Sequence, residues 1–233
     1  MISGVTTNEP AAESPTASWR EQAVSRSLDS ARVRAESRVQ RFIDAALDLL
    51  SESAPGEDFT VQDVVEKSGQ SLRSFYQYFG GKQELLLALF EESVRSTAAE
   101  IQERIAGEKN PRERLHRFVV EYYALCRPTS KKTAKKRSSP LALAEFAQQL
   151  MTANPGEATR AFAPLVSLFE EVYDDAVEAG AIRSGLNRHR VAGVVLEAIM
   201  FHSFSTTIGG AAGEAGADSA EELWDLLLNG FGK

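Results

Sequence analysis

The sequence predicts an all-α fold, and two features carry that expectation. Apolar residues recur at the 3-, 4- and 7-residue spacing of a helix face along almost the whole chain, and no stretch alternates apolar and polar residues as a half-buried strand does. Clusters of Gly, Pro, Asn and Ser separate the periodic segments, where helix breakers belong. No internal repeat is visible.

The elements follow in order. Met1 to Ala17 are rich in Ser, Thr, Ala and Pro and read as a flexible tail. After Trp19, Val24, Leu28, Ala31 and Ala35 fall at helical spacing, which predicts a loose extra helix before the first domain. A firmer helix spans Arg38 to Ser53, with Val39, Phe42, Ile43, Ala46, Leu47 and Leu50 on one face, and Ala54-Pro55-Gly56 ends it. Thr60 then caps a short helix that buries Val61, Val64 and Val65, with Asp63 placed as its capping partner. Gly69 stops it, since glycine takes the left-handed turn without steric cost. The next helix runs from Ser71 to about Phe79, and Gly80-Gly81 breaks it. A long helix from Gln83 to about Ala106 and another from Pro111 to about Arg127 follow. Beyond the basic, Ser/Thr-rich stretch from Pro128 to Pro140, helices are expected at about 141–152, 157–180, 188–208 and 218–230. Pro164 falls inside or near the start of one of them, a position that can kink it.

Composition narrows the function classes. The chain has 233 residues, 43% of them apolar, enough to build a core. Its longest apolar stretch, Val191 to Met200, is interrupted by Glu197 and is too short to cross a bilayer. With no basic start followed by an apolar block, a cytoplasmic location is expected and no membrane partner. Cys126 is the only cysteine, which excludes an internal disulfide and a cysteine zinc cluster. It is expected to be a small buried residue rather than a redox switch. His116, His189 and His202 are scattered over different helices without metal-ligand spacing, and no glycine-rich phosphate loop or Gly-x-Ser-x-Gly turn occurs. Neither catalysis, a metal nor a cofactor is therefore expected.

The net charge of −7 opposes binding to a polyanion, but its distribution does not. After Glu66 the charged residues up to Lys82 are Lys67, Arg73 and Lys82, all positive. From Arg20 to Arg41 six arginines face Glu21, Asp29 and Glu36. Around this region the short helix, the glycine turn and the second helix have the helix-turn-helix layout, whose second helix enters a major groove wide enough to admit it. At about 100° per residue, Phe75 and Phe79 define a buried face, and Arg73 and Gln77 point the other way. Arginine can bond guanine edges bidentately and glutamine adenine edges. Ser74, Tyr76 and Tyr78 flank them with hydroxyls suited to phosphate oxygens, and Lys82 stands at a helix start where free amides favour an anion. A surface helix that happens to carry aromatics would show the same wheel.

The residues themselves resemble a known family. Thr60-Val-Gln-Asp-Val-Val-Glu-Lys-Ser-Gly69, then Ser71-Leu-Arg-Ser-Phe-Tyr-Gln-Tyr-Phe79, then Gly81-Lys82 and Glu84-Leu85, are similar to the DNA-binding head of the TetR family of regulators. The resemblance covers about residues 38 to 90. It implies a three-helix helix-turn-helix head followed by a helical ligand-binding and dimerising bundle. It puts Thr60, Ser71, Tyr76, Tyr78 and Lys82 on phosphates and the stretch Leu72, Arg73, Ser74 to Gln77 on bases. Three positions depart from the family pattern: Gln70 replaces an aliphatic residue, Arg73 a small one and Gly81 a capping serine. The expected division is a tail with a possible extra helix at 1–36, the head at 37–83 and the body at 84–233.

In the body, the helix near 188–208 is apolar nearly all round, and a helix apolar on both sides needs two partners. Val191 and Val195 on it, with Leu223, Trp224 and Leu227 on the last helix, are the expected interface of a homodimer, a four-helix bundle across the twofold axis. Internal packing is the other explanation. Tyr122, Tyr123, Cys126, Phe146, Phe162, Phe169 and His202 are the expected lining of an effector pocket, though His202 also fits a satisfied core histidine. The basic run Lys131 to Arg137 is expected to be a solvated loop. The resulting expectation is a repressor that binds double-stranded DNA as a homodimer and leaves a palindromic operator when a small, largely apolar effector binds. An architectural or constitutive DNA-binding protein without a ligand is the alternative.

Overall fold

The computed structural model describes residues 18–52, 59–127, 140–208 and 217–229. The basic run 131–137 and the tail before residue 18 lie outside them. Two compact units are present, Met1–Gln40 and Arg41–Lys233. The described part of the first is helical throughout. It opens at Ser18, whose backbone N–H donates to the Glu21 carboxylate at 2.7 Å while the Glu21 N–H donates back to the Ser18 hydroxyl at 3.4 Å. Trp19, Val24, Leu28 and Val33 are exposed on it.

Here the structure differs from the expected pair of helices, because α1 is continuous from Trp19 to Glu52. The reason is visible in the sequence: neither glycine nor proline occurs between those residues, and nothing interrupts the backbone ladder. In the second unit α1 buries Phe42, Ile43, Ala45 and Ala46. It is followed by α2 (Val61–Ser68), α3 (Leu72–Tyr78) and α4 (Lys82–Ile105). Phe42 meets Phe75 and Phe79 edge-on, with ring centroids 5.4 and 6.1 Å apart. That aromatic triad pins α3 against the C-terminal part of α1, an arrangement rings prefer to face-to-face stacking.

The rest of the unit is a bundle of α5 (Pro111–Cys126), α6 (Pro140–Ala153), α7 (Pro155–Glu178), α8 (Arg188–Ile208) and α9 (Ala217–Asn229), packed on α4. Pro111 occupies the first turn of α5, where a missing N–H costs nothing, and the Asn110 side chain accepts from the Arg112 and Glu113 amides. α7 is the central helix and packs against α4, α5, α6 and α8, while α9 lies on α5. It begins earlier than the spacing suggested, at Pro155, so Pro164 lies within it. It ends at Gly180, whose positive φ of 66° lets the Gly180 and Ala181 amides reach back to Val177 and Ala176. Phe118, Tyr123, Leu165, Phe169, Val172 and Ile199 form the fully buried centre. Among the described residues all regular structure is helical, and no helix is long and apolar enough to cross a membrane.

Candidate nucleic-acid interface

The candidate interface is built on two caps and a turn. Thr60 caps α2 in a closed box: its backbone N–H and its hydroxyl both donate to the Asp63 carboxylate at 2.7 Å, and the Asp63 N–H donates to the Thr60 hydroxyl at 3.2 Å. Bonds from the Thr60 backbone, then from its hydroxyl, hold the Asp63 carboxyl below its ordinary pKa. Both donors of Thr60 are thus engaged within the head, so its place in the structure is that of a cap. Gly69 follows in the left-handed conformation, φ 64° and ψ 24°, and turns the chain toward Ser71. A β-carbon there would meet no atom within 4 Å, so backbone conformation, not space, selects glycine.

Ser71 caps α3 by accepting the Ser74 amide at 3.1 Å, which leaves its hydroxyl proton to donate outward. Along α3 the wheel read from the sequence holds. Phe75 and Phe79 are buried, whereas Leu72, Arg73, Tyr76 and Gln77 are exposed. Tyr76 stands edge-on to Phe75 at 5.4 Å with more than half of its surface in solvent. Tyr78 is half-buried. Ser74 departs from the expected arrangement, because its hydroxyl is enclosed and has no hydrogen-bond partner. It lies on the flank that turns toward the core, one residue before Phe75.

The next helix starts without a side-chain cap from Gly81. Glu84, in the first turn, accepts the amide of Gly80, the residue before the cap, at 2.5 Å. Lys82 opens α4, and its ammonium lies 4.6 Å from the centre of the Phe59 ring. Lys67, counted among the positive residues of this segment, is held by Glu52 of α1 at 2.6 Å. Arg73, exposed on α3, and Lys82, at the start of α4, are the other two cations of the segment.

Residues 42–89 match the pattern of bacterial regulatory proteins, tetR family. This segment therefore resembles the DNA-binding head of the TetR family. An HTH-type transcriptional regulator, BetI of Brucella anthropi, is 31% identical over 83 residues, which cover 36% of this chain and 42% of BetI. The match thus spans less than half of that regulator. Solved structures are similar over more of the chain. FadR from Bacillus subtilis, in complex with stearoyl-CoA, superimposes with a TM-score of 0.65 at 16% identity, covering 83% of this chain and 99% of FadR. Thermus thermophilus FadR, a transcriptional repressor in complex with lauroyl-CoA, gives 0.62 at 20% identity, covering 84% and 95%. At these identities the likeness is one of fold, a TetR-family head on a helical body.

Two clefts among the described residues of the body share no lining residue. The first, of about 450 Å³, lies between α6, α7 and α8, with Phe162, Val166, Leu196 and Met200 as apolar wall and Glu170 and His189 as polar groups. His189 bonds Glu170 at 2.9 Å. Gly193 lies in its wall, and a β-carbon there would meet no atom within 4 Å. The second, of about 320 Å³, lies between α5, α7, α8, α9 and the segment joining α7 to α8.

Of the seven residues expected to line one pocket, two line these clefts. Phe162 lines the first cleft and Phe169 the second. Tyr122, Tyr123 and Phe146 are buried core residues that line neither. Phe146 packs on Phe90, as does Phe162. Cys126 is bonded to Tyr122, and burial pushes its thiol up to about 12, far from the thiolate a redox switch requires. His202 is exposed, its ring 5.9 Å from that of Tyr123. Glu170, His189 and Gly193 were missed. The signal was Gly193, a glycine inside an otherwise apolar helix, which costs about 1 kcal/mol relative to alanine and calls for a reason.

The expected interface residues are covered to different degrees within the protomer. Val195 is buried in the protomer's own core, and Val191, Leu223, Trp224 and Leu227 are half-buried against it. Trp224 packs on His116, ring centroids 5.0 Å apart, and His116 bonds Glu221 at 2.7 Å. What α8 and α9 leave in solvent is Val194, 60% exposed, Phe201, 41%, and Leu226, 39%. A helix apolar all round says that a second partner is needed without saying which residues meet it.

Proposed function

We propose that this chain is a DNA-binding transcriptional repressor that acts as a homodimer and leaves a palindromic operator when a small effector binds its body. The observation that carries the reading is α3: a rigid helix, pinned from behind by Phe42, Phe75 and Phe79, that presents Arg73 and Gln77 one turn apart to solvent. Ser71, Tyr76, Tyr78 and Lys82 surround them with donors for phosphates, which position the helix without reading sequence. Thr60 supports the reading indirectly, by fixing the start of α2, and the enclosed Ser74 is left out of the contact set.

The dimer reading rests on Val194 and Phe201, two turns apart on α8, and on Leu226 of α9. These exposed apolar side chains are the material of a twofold interface. For the effector, the cleft between α6, α7 and α8 fits a largely apolar molecule with one or two polar atoms facing Glu170 and His189. The acyl-CoA ligands of the two FadR structures agree with an apolar effector chain. The α4 helix joins the head to the bundle, so an effector that favours a different packing of the bundle changes the spacing of the paired recognition helices.

The test uses linkage. Compounds of this kind are screened for thermal stabilisation of the protein, and each hit's affinity is then measured with and without operator DNA. Operator is expected to weaken effector binding about 5–150-fold, the same factor by which effector weakens operator binding. Equal affinities in both conditions would leave a constitutive DNA-binding protein and remove the switch.

A further inference from the structure

Three arginines of the body are held by carboxylates: Arg104 by Glu100 and Glu121, Arg114 by Glu171 and Asp175, and Arg188 by Asp174 and Glu170. Arg112, at the start of α5, and Arg183, between α7 and α8, differ from them. Both are exposed, both line the second cleft, and among the described residues neither guanidinium has a carboxylate in ion-pair reach. The wall they adjoin is apolar and well buried, formed by Leu115, Val119, Phe169 and Val195. Tyr173 belongs to the same lining. Its ring stacks on Phe169 with centroids 6.0 Å apart, only 5% of the residue is exposed, and its hydroxyl has no hydrogen-bond partner. A buried phenol without a partner is uncommon in folded proteins and calls for an explanation.

We propose that the cleft between α5, α7, α8 and α9 is a binding site for a small amphipathic anion, a carboxylate or comparable acid carried on an apolar chain. Arg112 and Arg183 bind the acidic head, since a guanidinium matches a carboxylate with two parallel hydrogen bonds. Leu115, Val119 and Phe169 cover the chain, and the Tyr173 hydroxyl supplies a further donor inside the site. The volume of about 320 Å³ is that of a small ligand site rather than a protein-docking groove. Trp224 and Leu227 of α9 close the same cleft, so occupancy also braces α9 against α5. The site is separate from the effector cleft and does not depend on what that cleft takes.

Decanoate and decanol test the proposal on the full-length chain. In a Trp19→Phe background the emission of Trp224 reports the cleft. Decanoate is expected to shift it saturably, and decanol to bind about tenfold more weakly or less, because it lacks the charge. The double variant Arg112→Gln/Arg183→Gln is expected to lose about tenfold or more in decanoate affinity while decanol binding stays unchanged. Tyr173→Phe, which removes the buried hydroxyl and keeps the ring, should weaken decanoate without unfolding the bundle. Equal affinity for decanoate and decanol, an unaffected double variant, or no saturable decanoate shift would each overturn the proposal. None of these results bears on operator binding, which is read on DNA.

Discussion

The double variant Val194→Glu/Phe201→Glu is expected to be a folded monomer with DNA affinity reduced about 10²–10⁴-fold. Both side chains are exposed on α8, so the substitutions leave the protomer's core intact. Across a twofold axis, however, the four introduced carboxylates would face one another in an apolar interface, where unpaired charge is strongly unfavourable. The affinity loss follows from linkage of two heads: once one half-site is held, the second head binds at high effective concentration, an advantage of about 10²–10⁴ that a monomer forfeits. Sedimentation would show the change of mass, circular dichroism an unchanged helix content, and a mobility shift the loss of DNA binding. A double variant that remains dimeric would place the interface elsewhere on the body. Val195→Glu is not an equivalent experiment, because Val195 is 7% exposed and a charge there unfolds the core first.

The second large effect concerns sequence reading. Arg73→Ala is expected to cost about 1–3 kcal/mol on the cognate operator and to relax the preference at one base pair per half-site. Arg73 is exposed, so the head should melt as before. Lys82→Ala is expected to act differently, weakening all duplexes alike and reducing the slope of log affinity against log salt by about one. The distinction separates a base contact from a phosphate contact on the same surface. If Arg73→Ala weakens binding to random duplex as much as to operator, Arg73 touches backbone and the specificity lies with Gln77 or with the shape of the DNA.

Much of this was legible in the sequence, and the limits have physical causes. The capping box at Thr60 and Asp63, the turn at Gly69 and the buried pair Phe75 and Phe79 are local features, fixed by residues three or four apart, and the structure has each of them. Ser74 and Lys67 show where local geometry ends. A helical wheel places Ser74 on a flank, but only the packing of α3 shows its hydroxyl enclosed, and only the fold brings Glu52 to Lys67. The body was harder for the same reason. Tyr122, Tyr123 and Phe146 have the composition of a pocket, yet aromatic side chains build cores and pockets alike, and their neighbours come from distant helices. Likewise α8 is apolar on every side, so spacing alone did not separate Val195, which faces the bundle, from Val194, which faces out. The apolar pattern of α1 weakens toward the N-terminus, which predicts two helices where the structure has one. No glycine or proline interrupts the backbone ladder there, and Val24, Leu28 and Val33 are exposed on it.

The most direct test of the central claim is selection of tight-binding duplexes from a random pool with the full-length protein, followed by footprinting on the winners. The account predicts one enriched, twofold-symmetric sequence, protected as two half-sites whose centres lie about 34 Å or a multiple of it apart, as two linked recognition helices require. No enrichment, or an enriched sequence without a twofold repeat, would contradict it.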